Sequence, residues 1–212
     1  MVDIFDSSLD NIEVEISDNK VSKGEEINLT NLDPTLNNLV IGVGWTLNAF
    51  DADSLDLDIS CFMLDKDNLT RENEDFVFYN NLEGCDGAVV HNGDSLIGAG
   101  DGDDESLSID LNGIPFDIMT VMFVFSIYRG EEKNQTMESV KNPYIRLINA
   151  SNSQELIRYE LVEDAQNCTD TAMFAASLTR MGPKWHFNAL GDSASGGLSK
   201  VANDYGIIIQ AS

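Results

Sequence analysis

Leu55-Asp56-Leu57-Asp58-Ile59-Ser60-Cys61-Phe62-Met63-Leu64 carries the clearest strand pattern in the chain. A strand turns successive side chains to opposite faces, so Leu55, Leu57, Ile59, Cys61 and Met63 share one face. The two-residue period of this stretch is incompatible with the 3.6-residue period of an amphipathic helix. Asp56 and Asp58 project together from the other face, about 7 Å apart. Two like charges side by side on a strand are costly unless something positive lies between them. The stretch thus sets a β architecture and raises the question of a cation.

Working outward, the same signals recur on both sides. Leu39 to Trp45 is a nearly continuous apolar run, short enough for a strand buried on both faces. Its Gly42 and Gly44 are two apart, so they share a face and leave room for a large neighbour. Asp65-Lys66-Asp67-Asn68 reads as a hairpin turn, followed by a short strand Phe76–Tyr79 ending in Asn80-Asn81. The Asp65 loop is no EF-hand, because its sixth position is Thr70 and its twelfth Phe76. Ala88–Val90, Leu107–Leu111, Met119–Tyr128, Tyr144–Ile148, Leu156–Leu161 and Trp185–Phe187 supply further strands. Thr171–Thr179 fits a helix or a β meander, one helical turn is expected in Gln135–Val140, and Leu198–Tyr205 reads as a short helix. About ten strands with no βα alternation predict an all-β fold. We expect one antiparallel β-sandwich over residues 21–212, with one or two short helices near the C-terminal half. Residues 1–20 form an extension, and Ile12–Ile16 within it alternates as an edge strand or belongs to a flexible tail.

The densest chemistry lies in His91 to Glu105, which holds Asp94, Asp101, Asp103, Asp104 and Glu105 together with Gly93, Gly98, Gly100 and Gly102. No lysine or arginine stands among them. Between Asp51 and Glu105 lie 16 of the chain's 37 acids, against only Lys66 and Arg71. Glycines let the backbone curl its carbonyls inward, Gly98 among them. Such an oxygen-rich loop suits Ca²⁺, which takes six to eight oxygen ligands in forgiving geometry. The candidate metal ligands are Asp56, Asp58, Asn80, Asp94, Gly98, Asp101, Asp103, Asp104 and Glu105. Alternation leading out of the loop puts Asp103 and Glu105 on one side and Asp104 on the other. Glu155 reads as a surface acid remote from the site. His91 is placed as an orienting hydrogen-bond partner and His186 as a packed or surface residue.

Composition excludes several other functions. The net charge of −25 rules out a nonspecific nucleic-acid binder, which needs a basic face. Cys61, Cys85 and Cys168 are odd in number and have no CxxC spacing, which points to free thiols in a reducing compartment. By alternation Cys61 is buried, while Cys85, in a turn, is expected to react readily. The acidic N-terminus lacks the pattern of a signal peptide, and no apolar run is long enough to span a membrane. We expect a cytoplasmic protein. No nucleophile–base constellation is visible, so the chain is expected to be no enzyme. The alternative is a metal-dependent hydrolase working through the acidic cluster.

Several segments come in the order of a known family. Ile41-Gly42-Val43-Gly44-Trp45, Leu55–Asp58, Asp75–Asn81, His91–Asp94, Gly102–Glu105, Ala172-Met173 and Asp204–Gly206 resemble the TerD domain, the tellurite-resistance and general-stress family, over roughly Val21 to Ile208. The resemblance implies a cytoplasmic, calcium-binding β-sandwich with two Ca²⁺ ions, acting in chemical stress without a secure enzymatic reaction. The partners it implies are other Ter-type stress proteins, including a TerC-like membrane protein. The chain departs from the family pattern at Ala99, where an acid is usual, and at Ser95, where asparagine is usual. The lost carboxylate implies that one of the two sites is weaker.

Overall fold

A computed structural model describes residues 19–46, 55–94 and 102–207. In chain order the strands are β1 (Lys20–Val21), β2 (Glu26–Asn28), β3 (Asn38–Thr46), β4 (Leu57–Leu64), β5 (Phe76–Val77), β6 (Glu83–Gly84) and β7 (Val89–Asp94). They continue as β8 (Glu105–Asp110), β9 (Thr120–Ile127), β10 (Lys141–Asn149), β11 (Gln154–Glu160), β12 (Ala172–Met181) and β13 (Lys184–Ser193). One sheet has the order β1-β11-β10-β3-β8-β7-β6 and the other β2-β13-β12-β9-β4-β5. The pairings are antiparallel except that β1 lies parallel to β11. Among the described residues four short α-helices join them: α1 (Leu29–Leu32), α2 (Gly130–Lys133), α3 (Val162–Gln166) and α4 (Gly197–Asp204).

The alternation of β4 decides where the layers meet. Leu57, Ile59, Cys61 and Met63 are at most 1% exposed and pack with Leu39, Ile41, Val43, Leu107 and Ile109 between the sheets. Past Asp58 and Ser60 the outward face of β4 is also apolar, because α4 covers it. Phe62 and Leu64 join Val124, Ala172, Val201 and Ala202 in a second core. Phe62 stacks on Phe76, and Phe76 on Phe78, with ring centroids 4.3 Å apart in each pair.

Tertiary context settles three local expectations. Thr171–Thr179 is strand, as β12, because both its edges are taken by β9 and β13. Its alanines favour a helix in isolation, but packing outweighs that weak preference. The strand expected over Phe76–Tyr79 stops at Val77, since Phe78 and Asn81 exchange backbone hydrogen bonds of 2.9 Å and close a turn. The helical turn expected in Gln135–Val140 is a 3₁₀ turn over Met137–Ser139. The proposed edge strand Ile12–Ile16 lies outside the described residues.

Cys85 corrects the thiol expectation. It sits at φ +51° and is only 8% exposed, with its sulfur 3.7 Å from Asp75 Oδ1 and 3.6 Å from Arg71 Nη2. Asp75 is fully buried, and Arg71 grips it through Nε and Nη2 at 2.9 and 2.8 Å. The turn is therefore folded inward over this ion pair. Burial, and then the negative charge of Asp75, push the Cys85 thiol up to about 12. Burial drives Cys61 up further still. Since the thiolate is the reactive form, Cys61, Cys85 and the buried Cys168 should all resist a maleimide at neutral pH. Mass spectrometry should find label only after denaturant is added; rapid labelling of Cys85 in native protein contradicts this placement.

Candidate metal site at the acidic end of the sandwich

The strand register brings the acidic segments to one end of the sandwich. The end of β3 meets the start of β8 at Val43–Glu105, and the end of β7 meets it at Asp94–Glu105. In the facing sheet the start of β4 meets the end of β9 at Leu57–Ile127. The two sheets are clipped together there through the Ile59 peptide. Its N–H donates to Glu105 Oε2 at 2.7 Å, and its carbonyl lies 3.2 Å from His91 Nε2. His91 Nδ1 accepts from the Gly93 N–H at 3.0 Å, which leaves the neutral ring's proton on Nε2, facing the carbonyl. Glu105 and His91 are 4% and 3% exposed, so this buried polar pair is satisfied within the protein.

Asp103 has a partner that lies far away in sequence. Arg146, in β10, donates to both its oxygens, Nε to Oδ1 at 2.7 Å and Nη2 to Oδ2 at 3.0 Å. The Tyr144 hydroxyl adds a bond of 3.0 Å, and burial followed by Asp103 pushes that hydroxyl up to about 12. Gly42 and Gly44 make room for this arrangement. A Cβ on Gly42 would lie 2.0 Å from Asp103 Oδ2, and one on Gly44 would lie 2.4 Å from the Tyr144 hydroxyl. The shared face of the two glycines thus receives a carboxylate and a phenol.

Two expectations are corrected here. Asp103 lies over the outer face of its sheet with Arg146, whereas Glu105 points between the sheets; they do not share a side. The reason is that β8 begins only at Glu105, so strand alternation does not extend back to Asp103. Asp104 uses its backbone N–H on the Val43 carbonyl and its carboxylate on the Trp45 N–H, both at 2.8 Å. Nor is Glu155 a remote surface acid. It accepts from Arg146 Nη1 at 2.8 Å, so Arg146 bridges Glu155 and Asp103. Its carboxyl is held below the usual range; burial alone would raise it, but the bonds from Arg146 and Asn19 and the charges of Arg146 and Arg158 prevail. The sequence signal for Arg146 was weak: a cation on the outward phase of an otherwise apolar strand.

Asp58 lies opposite Ser126, half-buried, and borders a cavity of about 450 Å³ with Tyr79, Tyr128, Glu131 and Thr171. The rings of Tyr79 and Tyr128 meet edge to face at 5.8 Å. Burial, then Tyr128 and Asp58, raise the Tyr79 hydroxyl. Asp56 is exposed just before β4, and its carbonyl accepts from the Tyr128 N–H at 2.9 Å. Asn80 is exposed in the turn after β5. Gly98 and Asp101 lie outside the described residues. Among the described residues no three His, Cys, Asp or Glu side chains are grouped so as to hold an ion.

The donor chemistry at this end bears on which kind of metal would fit. The three thiols are buried elsewhere, His91 is engaged with the Ile59 peptide, and His186 pairs with Glu26 at 2.7 Å. What this end offers is carboxylate and carbonyl oxygen, which fits a hard cation such as Ca²⁺ and not Zn²⁺ or Cu⁺.

Two stacked antiparallel sheets, polar-clipped and rimmed with carboxylates at one end, define an acid-ended β-sandwich. The chain belongs to the TerD domain family, whose model matches residues 18–205. It is 41% identical over 188 residues to general stress protein 16U of Bacillus subtilis, covering 88% of this chain and 96% of that protein. It is also 41% identical over 187 residues to tellurium resistance protein TerD of Serratia marcescens, with 88% and 96% covered. A solved homologue of telluride resistance protein (TerD) from Streptomyces coelicolor has the same fold. The TM-score is 0.63 at 19% identity, over 82% of this chain and 99% of that one. No helix among the described residues is long and apolar enough to cross a membrane.

Proposed function

We propose that this chain binds calcium at the acidic end of the sandwich and acts there as a calcium-dependent binding or scaffold module in a chemical-stress response. The observation that carries the reading is the convergence of the Asp58, Asp94 and Asp104 segments on one end, around the Glu105–Ile59 clip. Relatives named for general stress and for tellurium resistance support the cellular role. Asp56, Asp58, Asn80, Asp94, Gly98, Asp101 and Asp104 would offer oxygens to two Ca²⁺ ions. Asp103 and Glu105, already bonded to Arg146 and to the Ile59 N–H, would hold the loop ends in register. Bound calcium would supply charge neutralisation, and the carboxylates would supply its orientation. The reading includes a cytoplasmic setting and partners among the Ter-type proteins, a TerC-like membrane protein included.

Titration calorimetry on chelator-stripped protein tests it. Asp→Asn keeps shape and one oxygen but removes charge. Asp58→Asn and Asp104→Asn should each weaken calcium binding by about tenfold or more, roughly 1.4 kcal/mol. Asp67→Asn, in the exposed turn at the other end of β4, is the control and should bind as the parent does. No heat of calcium binding in the parent, or equal affinity in all three variants, sinks the proposal.

A further inference from the structure

The end of the sandwich opposite the Glu105–Ile59 clip carries a cavity of about 310 Å³ whose lining mixes Leu36, Phe116 and Trp185 with Thr30, Asn37 and Asn112. Phe116 is 86% exposed, far above any other large apolar side chain among the described residues. Arg180 also lines this cavity, its guanidinium 4.3 Å from the Trp185 ring centre and 5.2 Å from that of Phe116. Its Nε donates to the Ile118 carbonyl, and its Nη2 to those of Ile114 and Pro115, at 3.0–3.1 Å. None of these bonds uses Nη1. An aromatic rim beside a guanidinium whose Nη1 makes no bond among the described residues suits an apolar side chain flanked by a carboxylate.

The chain itself supplies such a segment, and β1 leads to it. Because β1 runs parallel to β11, with Lys20 opposite Arg158, the described chain begins, at Asn19, on the Gln154 side of that pairing. Asn19 is fixed there: its carbonyl accepts from the Arg158 N–H at 2.8 Å, and its Nδ2 donates to Glu155 at 2.6 Å. Gln154 pairs with Asn149, and Asn149 with Leu39, which stands beside the cavity residues Leu36 and Asn37. From β11 to β3 is two strand spacings, about 10 Å. Residues 1–18 hold six acids, no lysine or arginine, and the sequence Asp3-Ile4-Phe5-Asp6. Phe5 precedes Asn19 by 14 residues, a reach of up to roughly 46 Å. The family model begins only at residue 18, so this segment is an addition to the domain.

We propose that residues 1–18 dock on their own domain, with Phe5 in the Phe116–Trp185 cavity and the Asp6 carboxylate on Arg180. The docked segment covers the exposed Phe116 ring and neutralises a guanidinium that β12 holds at the cavity floor. The Arg180 guanidinium, which has Asp117 as a nearby charge, draws the protein's own acidic tail at the effective concentration that a short tether provides. This docking does not depend on calcium, because cavity and carboxylates lie at opposite ends of the strands.

The test uses the full chain with a photoreactive benzoylphenylalanine at Phe5, irradiated in chelator and again in calcium. Digestion and mass spectrometry should place the crosslinks on residues 28–37, 111–118 or 180–185 of the same chain in both conditions. Phe116→Ala removes an exposed ring and leaves the core untouched, and it should lower the yield at least fivefold. Arg180→Lys keeps the charge but loses the planar fork, and it should lower the yield to a lesser degree. Crosslinks elsewhere, no crosslinks, or an unchanged yield in Phe116→Ala overturns the proposal. So do crosslinks only between isotopically distinct chains, which would assign the cavity to a second copy. Loss of calcium binding with these crosslinks retained would remove the calcium reading alone.

Discussion

Gly42→Ala is expected to destabilise the protein by about 3 kcal/mol, at the upper end of overpacking costs. The methyl would lie 2.0 Å from Asp103 Oδ2 and 2.3 Å from its Cγ, so the carboxylate must leave. Leaving breaks both its bonds to Arg146 and the one from Tyr144, and it strands a half-buried cation against Glu155 alone. The melting temperature should fall by roughly 6–12 °C in a chain of this size. Asp103→Ala combined with Gly42→Ala isolates the cause. If the clash is responsible, the double variant melts close to Asp103→Ala alone, a strong non-additivity between touching residues. A Gly42→Ala protein that melts with the parent would mean that the carboxylate does not sit over β3.

Calcium is expected to raise the stability of the stripped protein by about 2.7 kcal/mol per site when present at ~100-fold above its dissociation constant. Without the ion the converging acids repel one another, and Arg146 neutralises one of them directly, at Asp103. Unfolding separates the acids, so the ion favours the folded state. Scanning calorimetry should show a rise of roughly 5–10 °C in calcium relative to chelator. Magnesium should give much less, because it dehydrates reluctantly and demands tight octahedral geometry. Superimposed melts in calcium and chelator would contradict a site at this end.

The sandwich was legible because its strongest signals are local. The period of Leu55–Leu64 names its buried face, and all four of the inward residues from Leu57 to Met63 are in the core. The glycine pair on β3 announced a bulky neighbour on one face without saying which. Cys85 was misread for a physical reason: a turn signal tells that the chain reverses, not whether the reversal folds inward over a buried Asp75–Arg71 pair. Tyr79 and Tyr128, which border the cavity at Asp58, gave no signal beyond their strand ends.

Asp103 and Glu105 divide what sequence alone determined from what tertiary structure decided. Composition and spacing determine a β-sandwich with its acids gathered in one segment, because hydrophobic period and charge density are properties of neighbouring residues. The fate of each acid is not. Arg146 reaches Asp103 across 43 positions and Ile59 reaches Glu105 across 46. Those pairings follow from the register of β3 between β8 and β10 and from the stacking of the sheets. Register is set by the whole ladder of hydrogen bonds and by the burial of an entire face, so no local window contains it.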